Sequence, residues 1–231
     1  MCLQVKNLTL TYPGSSDYVF QDLSFQLKEP GFNSLFGPSG VGKTSLAKVL
    51  TGDMGNFTGE IGPEGLRIFL YSYNTERLPD WSGIGKHLEK ITPAGQQERR
   101  EELIWIFGLK DCLRQRFSQM SLGQQNRVNL LRYLLQDFDL LIMDESLANV
   151  DELTREKIIL RIKSLYPQRH FLYISHNVVE VSKFCREIVV LRGAERHPQS
   201  IIVRGQDARI DREIDSGRLN QTMLEIVNAS S

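Results

Sequence analysis

The stretch Gly37-Pro38-Ser39-Gly40-Val41-Gly42-Lys43-Thr44 constrains this chain more than any other. It satisfies G-x-x-x-x-G-K-[ST] at every fixed position. Glycines let the backbone curl so that several N–H groups converge on a polyphosphate, and a helix opening there adds the positive end of its dipole. The Lys43 ammonium can reach the outer phosphates, and the Thr44 hydroxyl is offered to Mg²⁺. The flanks supply the required context. Phe32 to Phe36 reads as a short strand, although Asn33 and Ser34 are poor core residues. Leu46, Val49 and Leu50 then share one helix face, with Gly52 as a stop. The expected ligand is a nucleoside triphosphate.

A second cluster lies a hundred residues on. The apolar run Leu140–Met143 ends in Asp144-Glu145, and the run Phe171–Ile174 ends in Ser175-His176. A third run spans Ile188–Leu191. Between the first two, Ile158, Ile159, Ile162 and Leu165 recur at helical spacing. Buried runs alternating with amphipathic helices predict a parallel sheet covered on both faces, whose carboxyl ends gather ligands. Asp144 is then expected to hold Mg²⁺. Glu145, one residue on and pointing to the other side of the chain, is expected to orient or deprotonate an attacking water. His176 is placed to contact a γ-phosphate.

The rest of the chain frames these motifs. Leu3, Val5, Leu8 and Leu10 alternate with a slip near Asn7, and Leu23, Phe25 and Leu27 alternate strictly before the turn Glu29-Pro30-Gly31. Residues 75–120 read as a mostly helical lobe, with Thr92 before Pro93 as a helix N-cap. Leu103, Ile104, Ile106 and Phe107 form an apolar face ended by Gly108. Residues 193–231 are polar and weakly patterned. Lys+Arg and Asp+Glu both number 28, which argues against a broad electrostatic nucleic-acid binder. No apolar stretch approaches 18 residues and no secretory leader is visible. Cys2, Cys112 and Cys185 are scattered, matching neither a disulfide framework nor a metal spacing and fitting a reducing compartment.

Met120-Ser121-Leu122-Gly123-Gln124-Gln125 lies between the two nucleotide motifs and leads into a helical run, Asn126 to Leu135. It resembles the signature of ATP-binding cassette (ABC) ATPases, usually Leu-Ser-Gly-Gly-Gln. Met120 and Leu122 depart from that pattern, and Ser121, Gly123 and Gln124 match it. The order of phosphate loop, signature, Asp-Glu pair and histidine is also that family's, from about Leu3 to Leu191. The resemblance implies an α/β fold: a P-loop NTPase core with a mostly parallel sheet, an N-terminal antiparallel β subdomain and an inserted helical subdomain. In this single domain, 1–74 and 121–195 form the core, 75–120 the helical subdomain and 196–231 a tail.

The resemblance also implies roles. ATP and Mg²⁺ are the cofactors. Tyr12 stacks on adenine. Gly37, Pro38, Ser39, Gly40, Val41, Gly42, Lys43, Thr44 and Ser45 hold the phosphates, and Ser121, Gly123 and Gln124 contact nucleotide across a dimer. Asp151 crosses the dimer interface and can equally cap the helix after it. Lys43, Glu145 and His176 are catalytic, and Thr44 and Asp144 hold the metal. The family's metal-reaching Gln is missing from Leu70–Glu76; Asn74 or Tyr73 takes its place, with Asn74 assigned to the metal. The usual Pro-Thr after the Glu is Ser146-Leu147. The implied partners are a second ATPase subunit, transmembrane permease subunits with Leu78, Pro79 and Trp81 walling their groove, and a solute-binding protein. No nucleic acid is expected, and the location is the cytoplasmic face of the membrane. Leu-Pro and Trp81 after the Asn74 loop resemble nitrate/sulfonate/taurine-type importers. The alternatives are a soluble assembly or clamp ATPase of this type and a P-loop small-molecule kinase.

Overall fold

The computed structural model describes residues 2–230 except 75, 79, 81, 212 and 213, with the backbone alone of Pro63. Strands β1 (Cys2–Thr11) and β2 (Tyr18–Leu27) pair antiparallel, with Leu3 opposite Leu27 and Val5 opposite Phe25. Their alternation buries Leu3, Val5, Leu8, Leu23 and Leu27 on one side. The slip near Asn7 is a bulge: Asn7 has φ 51° and the register jumps between Val5 and Leu8. A strand absent from the sequence reading, β4 (Phe57–Glu64), covers the other edge of β1. Its glycines, glutamates and proline mask the strand pattern.

The central sheet contains β3 (Gly31–Phe36), β5 (Phe69–Tyr73), β6 (Leu140–Asp144), β7 (His170–Ile174), β8 (Glu187–Leu191) and β9 (Ser200–Arg204). Their order is β5-β6-β7-β3-β8-β9, and every pairing is parallel except β8 with β9. Leu140 and Ile142 face one apolar cluster, shared with the antiparallel sheet and α1 (Lys43–Leu50). Leu141 and Met143 face the other cluster, filled by α4 (Leu122–Leu134), α5 (Glu152–Leu165) and α6 (Val178–Phe184). Two buried faces explain the uninterrupted apolar runs. The polar residues of β3 are engaged: Ser34 Oγ donates to Tyr173 O (2.8 Å), and Asn33 Oδ1 accepts from Glu187 N (3.3 Å).

The segment 75–120 carries α2 (Ile84–Ile91), α3 (Gln97–Ile106) and two short 3-10 turns. Thr92 ends α2 rather than starting a helix, and its N–H donates to Leu88 O (3.0 Å). Pro93 holds Thr92 extended, and Gly95 at φ 84° prevents a helix from running on from Pro93, so α3 begins at Gln97. The weakly patterned end of the chain holds β9 and a helix, α7 (Ser216–Ser230), which buries only Thr222 and Ile226.

Asp139 fixes the leading edge of the sheet. Its Oδ2 accepts from Arg67 N (2.7 Å) and Ile68 N (3.0 Å), and its carbonyl accepts from His170 N (3.0 Å). The Arg67 N–H bond, outweighing partial burial and joined by that of Ile68, holds the carboxyl below its ordinary 3.8. A depressed folded value stabilises fully above the unfolded value and is lost as pH falls through the folded one. Asp139→Ala is expected to lower the Tm at pH 7, and the gap to wild type should close as pH drops below 3.8. Thermal denaturation across that range checks it, and a gap that is constant with pH would count against the clamp.

Candidate active site

Sheet register assembles the site. Tyr73 lies opposite Asp144, Asp144 opposite Ile174, and Ile174 opposite Leu35. The carboxyl ends of β5, β6, β7 and β3 are therefore level, and Asn74, Glu145, His176 and the loop 37–42 emerge together. They surround an open cleft of about 760 Å³, also lined by Tyr12, Ser39, Thr44 and Ser45. Gly37, Pro38 and Val41 are not among its lining residues.

Gly42 caps α1 at φ 100°, and a Cβ there would meet Val19 and Phe20 side chains at 2.7 Å. Lys43 Nζ donates to the carbonyls of Gly37 and Pro38, both at 2.8 Å. Burial holds its ammonium below the ordinary lysine range, against the opposing pull of Asp144 and Glu145.

The two carboxylates have separate partners. Asp144 Oδ2 accepts from Thr44 Oγ1 (2.9 Å) and Tyr71 OH (2.8 Å). Burial and the Asp144 charge push the Tyr71 phenol up, so it remains a neutral donor. Glu145 Oε2 accepts from Asn74 Nδ2 (3.0 Å), and its Oε1 lies 2.9 Å from His176 Nε2. Glu145 was expected on the other side of the chain from Asp144, yet both line the cleft. Its backbone leaves the strand conformation at φ 50°, breaking the alternation on which that expectation rests. Of the two candidates for the missing Gln, Asn74 reaches Glu145, whereas the Tyr73 ring sits against Tyr71 with centroids 5.4 Å apart.

Tyr12 follows the last residue of β1 and lines the cleft with its ring exposed, and its hydroxyl is 2.6 Å from Ser45 Oγ. Ser121, Gly123, Gln124 and Asp151 do not line the cleft. Ser121 caps α4: Gln124 N donates to its Oγ (3.3 Å), and Gln124 Oε1 accepts from Ser121 N (2.8 Å). Asp151 caps α5 by accepting from Thr154 N (2.9 Å). The Gly123 backbone packs on the Asn149 carbonyl with no room for a Cβ, and Asn126 Nδ2 donates to Ala148 O (2.7 Å). Ser146, in place of the usual Pro, is buried and donates to Ser72 O (2.8 Å). Leu78 packs in the core, and Pro79 and Trp81 lie outside the described residues.

The donor set suits Mg²⁺. Thr44 and Asp144 present hard oxygens side by side, and among the described residues no cluster of three His, Cys, Asp or Glu side chains competes as a closed metal cage. Mg²⁺ typically takes one or two protein oxygens and completes its shell with phosphate and water.

A family model described as ABC transporter matches residues 20–148, more than half the chain. The chain belongs to the ABC transporter family. It is similar to the taurine import ATP-binding protein TauB of Roseobacter denitrificans, at 28% identity over 82% of this chain and 77% of that one. It is similar also to the molybdenum import ATP-binding protein ModC of Brucella suis, at 31% over 71% of this chain and 51% of that one. The fold is shared with a bacterial Atm1-family ABC exporter solved with ATP bound, at a TM-score of 0.73 and 17% identity over 82% of this chain and 36% of that one. This ABC protein is thus an ATP-binding, ATP-hydrolysing transporter subunit. Among its described residues, no helix is long and apolar enough to cross a membrane.

Sequence reasoning did not find Tyr71, because its contact with Asp144 exists only through β5–β6 pairing. It also passed over Lys48 and Asp53, which line the cleft. Gly123→Ala would force a Cβ into the Asn149 carbonyl. It is expected to cost about 1–3 kcal/mol and to loosen the loop before Asp151. Chemical denaturation together with hydrogen exchange at 146–151 measures both, and unchanged protection would refute the close-packing account.

Proposed function

We propose that this chain is the ATPase subunit of an import-type ABC transporter, pairing with a second ATPase subunit. It would bind on the cytoplasmic face of the membrane, against permease subunits supplied by a solute-binding protein. The carrying observation is the division of the cleft: Thr44 and Tyr71 on Asp144, Asn74 and His176 on Glu145, with Lys43 beside both. The import names of the taurine and molybdenum relatives support the direction of transport.

In this reading Tyr12 stacks on adenine while the loop Gly37–Gly42, Lys43, Thr44 and Ser45 hold the phosphates. Lys43 exchanges its two carbonyl partners for phosphate oxygens. Thr44 and Asp144 would hold Mg²⁺, with Asn74 as the further residue assigned to it, and the ion would neutralise charge on the phosphates. Glu145 takes a proton from the water that attacks the γ-phosphorus. The bond from that phosphorus to the bridging oxygen breaks, leaving ADP and free phosphate. His176 holds Glu145 and meets the γ-phosphate. Ser121, Gly123 and Gln124 lie outside their own chain's cleft, which supports their action on nucleotide held by a partner. Asp151 would cross the same interface. ATP then stabilises the closed pair, and hydrolysis releases it. The helical segment 75–120 is the proposed permease contact, between core segments 1–74 and 121–195, and 196–231, expected as a tail, adds β9 to the core sheet and then α7.

Glu145→Gln should slow phosphate release by about 10²–10³-fold while retaining ATP, by analogy with loss of one preorganised catalytic group. Gel filtration of that variant with MgATP should show a dimer. Wild-type turnover, or a strict monomer, would remove Glu145 or the pairing from this account. Affinity purification from native membranes should bring down a spanning subunit. Recovery of a phosphorylated small molecule in place of free phosphate would instead establish a kinase.

A further inference from the structure

His176 occupies an exposed turn, yet the chain on both sides of it is tied down. Ser175 Oγ accepts from Asn177 N (3.2 Å) and donates to Glu180 Oε2 (3.0 Å). Asn177 Oδ1 accepts from Val179 N (3.0 Å) and Glu180 N (3.2 Å). These bonds close a ring around one residue, with the Glu180 carboxylate as its buried corner. That carboxylate is only 7% exposed. Its Oε2 also accepts from Tyr173 OH (2.9 Å), a phenol that burial and then the Glu180 charge push well up, so it stays a neutral donor. Its Oε1 lies 2.6 Å from Arg155 Nε. Arg155 stands on the first turn of α5, where its N–H donates to Asp151 O (2.9 Å).

A charge this deeply buried is costly unless paired and hydrogen-bonded, and this one has an ion partner and two hydroxyl donors. Neither Glu180 nor Ser175 lines the cleft. We propose that Glu180 is the positioning residue for His176. It fixes the turn through Ser175 so that the imidazole meets Glu145, and Arg155 ties it to the helix that follows Asp151. The turn beside a chain's own γ-phosphate and the loop directed at its partner thereby share one ion pair. This rests on the reading that His176 acts at the γ-phosphate.

The test is steady-state ATP hydrolysis by the full-length chain carrying His176→Ala, Ser175→Ala, Glu180→Gln and the double variant Ser175→Ala/His176→Ala. Glu180→Gln leaves the partly buried Arg155 beside a neutral group, and if it fails to fold, Ser175→Ala, which keeps the ion pair, decides alone. Ser175→Ala is expected to lower kcat about tenfold and leave the KM for ATP within about twofold. The double variant should be no slower than His176→Ala, since residues that act as a unit are not additive. Arg155→Lys, which keeps the charge, should retain most of the activity that Arg155→Ala loses. If Ser175→Ala keeps full kcat where His176→Ala loses it, or if the double variant multiplies the two losses, positioning is overturned while the role of His176 stands. If His176→Ala itself turns over at the wild-type rate, the reading of the histidine fails and takes the proposal with it.

Discussion

Parallel pairing of β5, β6, β7 and β3 is the constraint from which the site follows. Side chains alternate along a strand, so a slip of one residue in β6 would turn Asp144 into the apolar layer and bring Met143 to the cleft. Apolar burial on both faces resists such a slip without uniquely fixing it, because Leu140, Leu141, Ile142 and Met143 are nearly interchangeable in hydrophobicity. Directional bonds remove the ambiguity. Asp139 joins the leading ends of three strands, and Ser34 and Asn33 reach from β3 to its neighbours on either side. The polar residues that weaken β3 as a strand core are among those that lock it in place.

With the register fixed, the cleft holds two adjacent carboxylates that share no hydrogen-bond partner. Asp144 is held by hydroxyls and Glu145 by an amide and an imidazole. Neighbouring acids do different work when their surroundings differ. A carboxylate among hydroxyl oxygens suits a hard cation. A carboxylate beside an imidazole suits the handling of a proton. The left-handed backbone at Glu145 brings the second carboxylate to the same cleft, and its N–H still donates to Ile174 O (3.1 Å), so the turn leaves no orphaned donor.

What the sequence made legible was local. The loop Gly37–Thr44 is contiguous, and Asp144, Glu145 and His176 each follow an apolar run whose end marks the sheet edge. Tyr71 stayed hidden because a tyrosine in a strand says nothing about the strand that will lie beside it. Glu145 lines the cleft from the side that strand alternation denies it, since alternation holds only while the backbone stays extended. The N-cap assigned to Thr92 failed because a proline after a helix and a proline opening one look alike until Gly95 is recognised as the break. The helix α7 escaped for a different reason: with only Thr222 and Ile226 buried, it lacks the broad apolar stripe by which helices are read.

In the signature region, the capping bonds leave room for the proposed nucleotide role. Ser121 uses an oxygen lone pair to accept from Gln124 N, and a hydroxyl still has a proton to donate. Asp151 uses Oδ1 for its cap, leaving Oδ2 for another partner. Leu122, where the family pattern has glycine, is the first residue of α4, and its N–H is among the four that no helix satisfies internally. A leucine there adds bulk outward and leaves that donor in place, whereas Gly123 faces the Asn149 carbonyl and has no such latitude. The motif therefore tolerates change where the helix opens to solvent and resists it where backbone meets backbone.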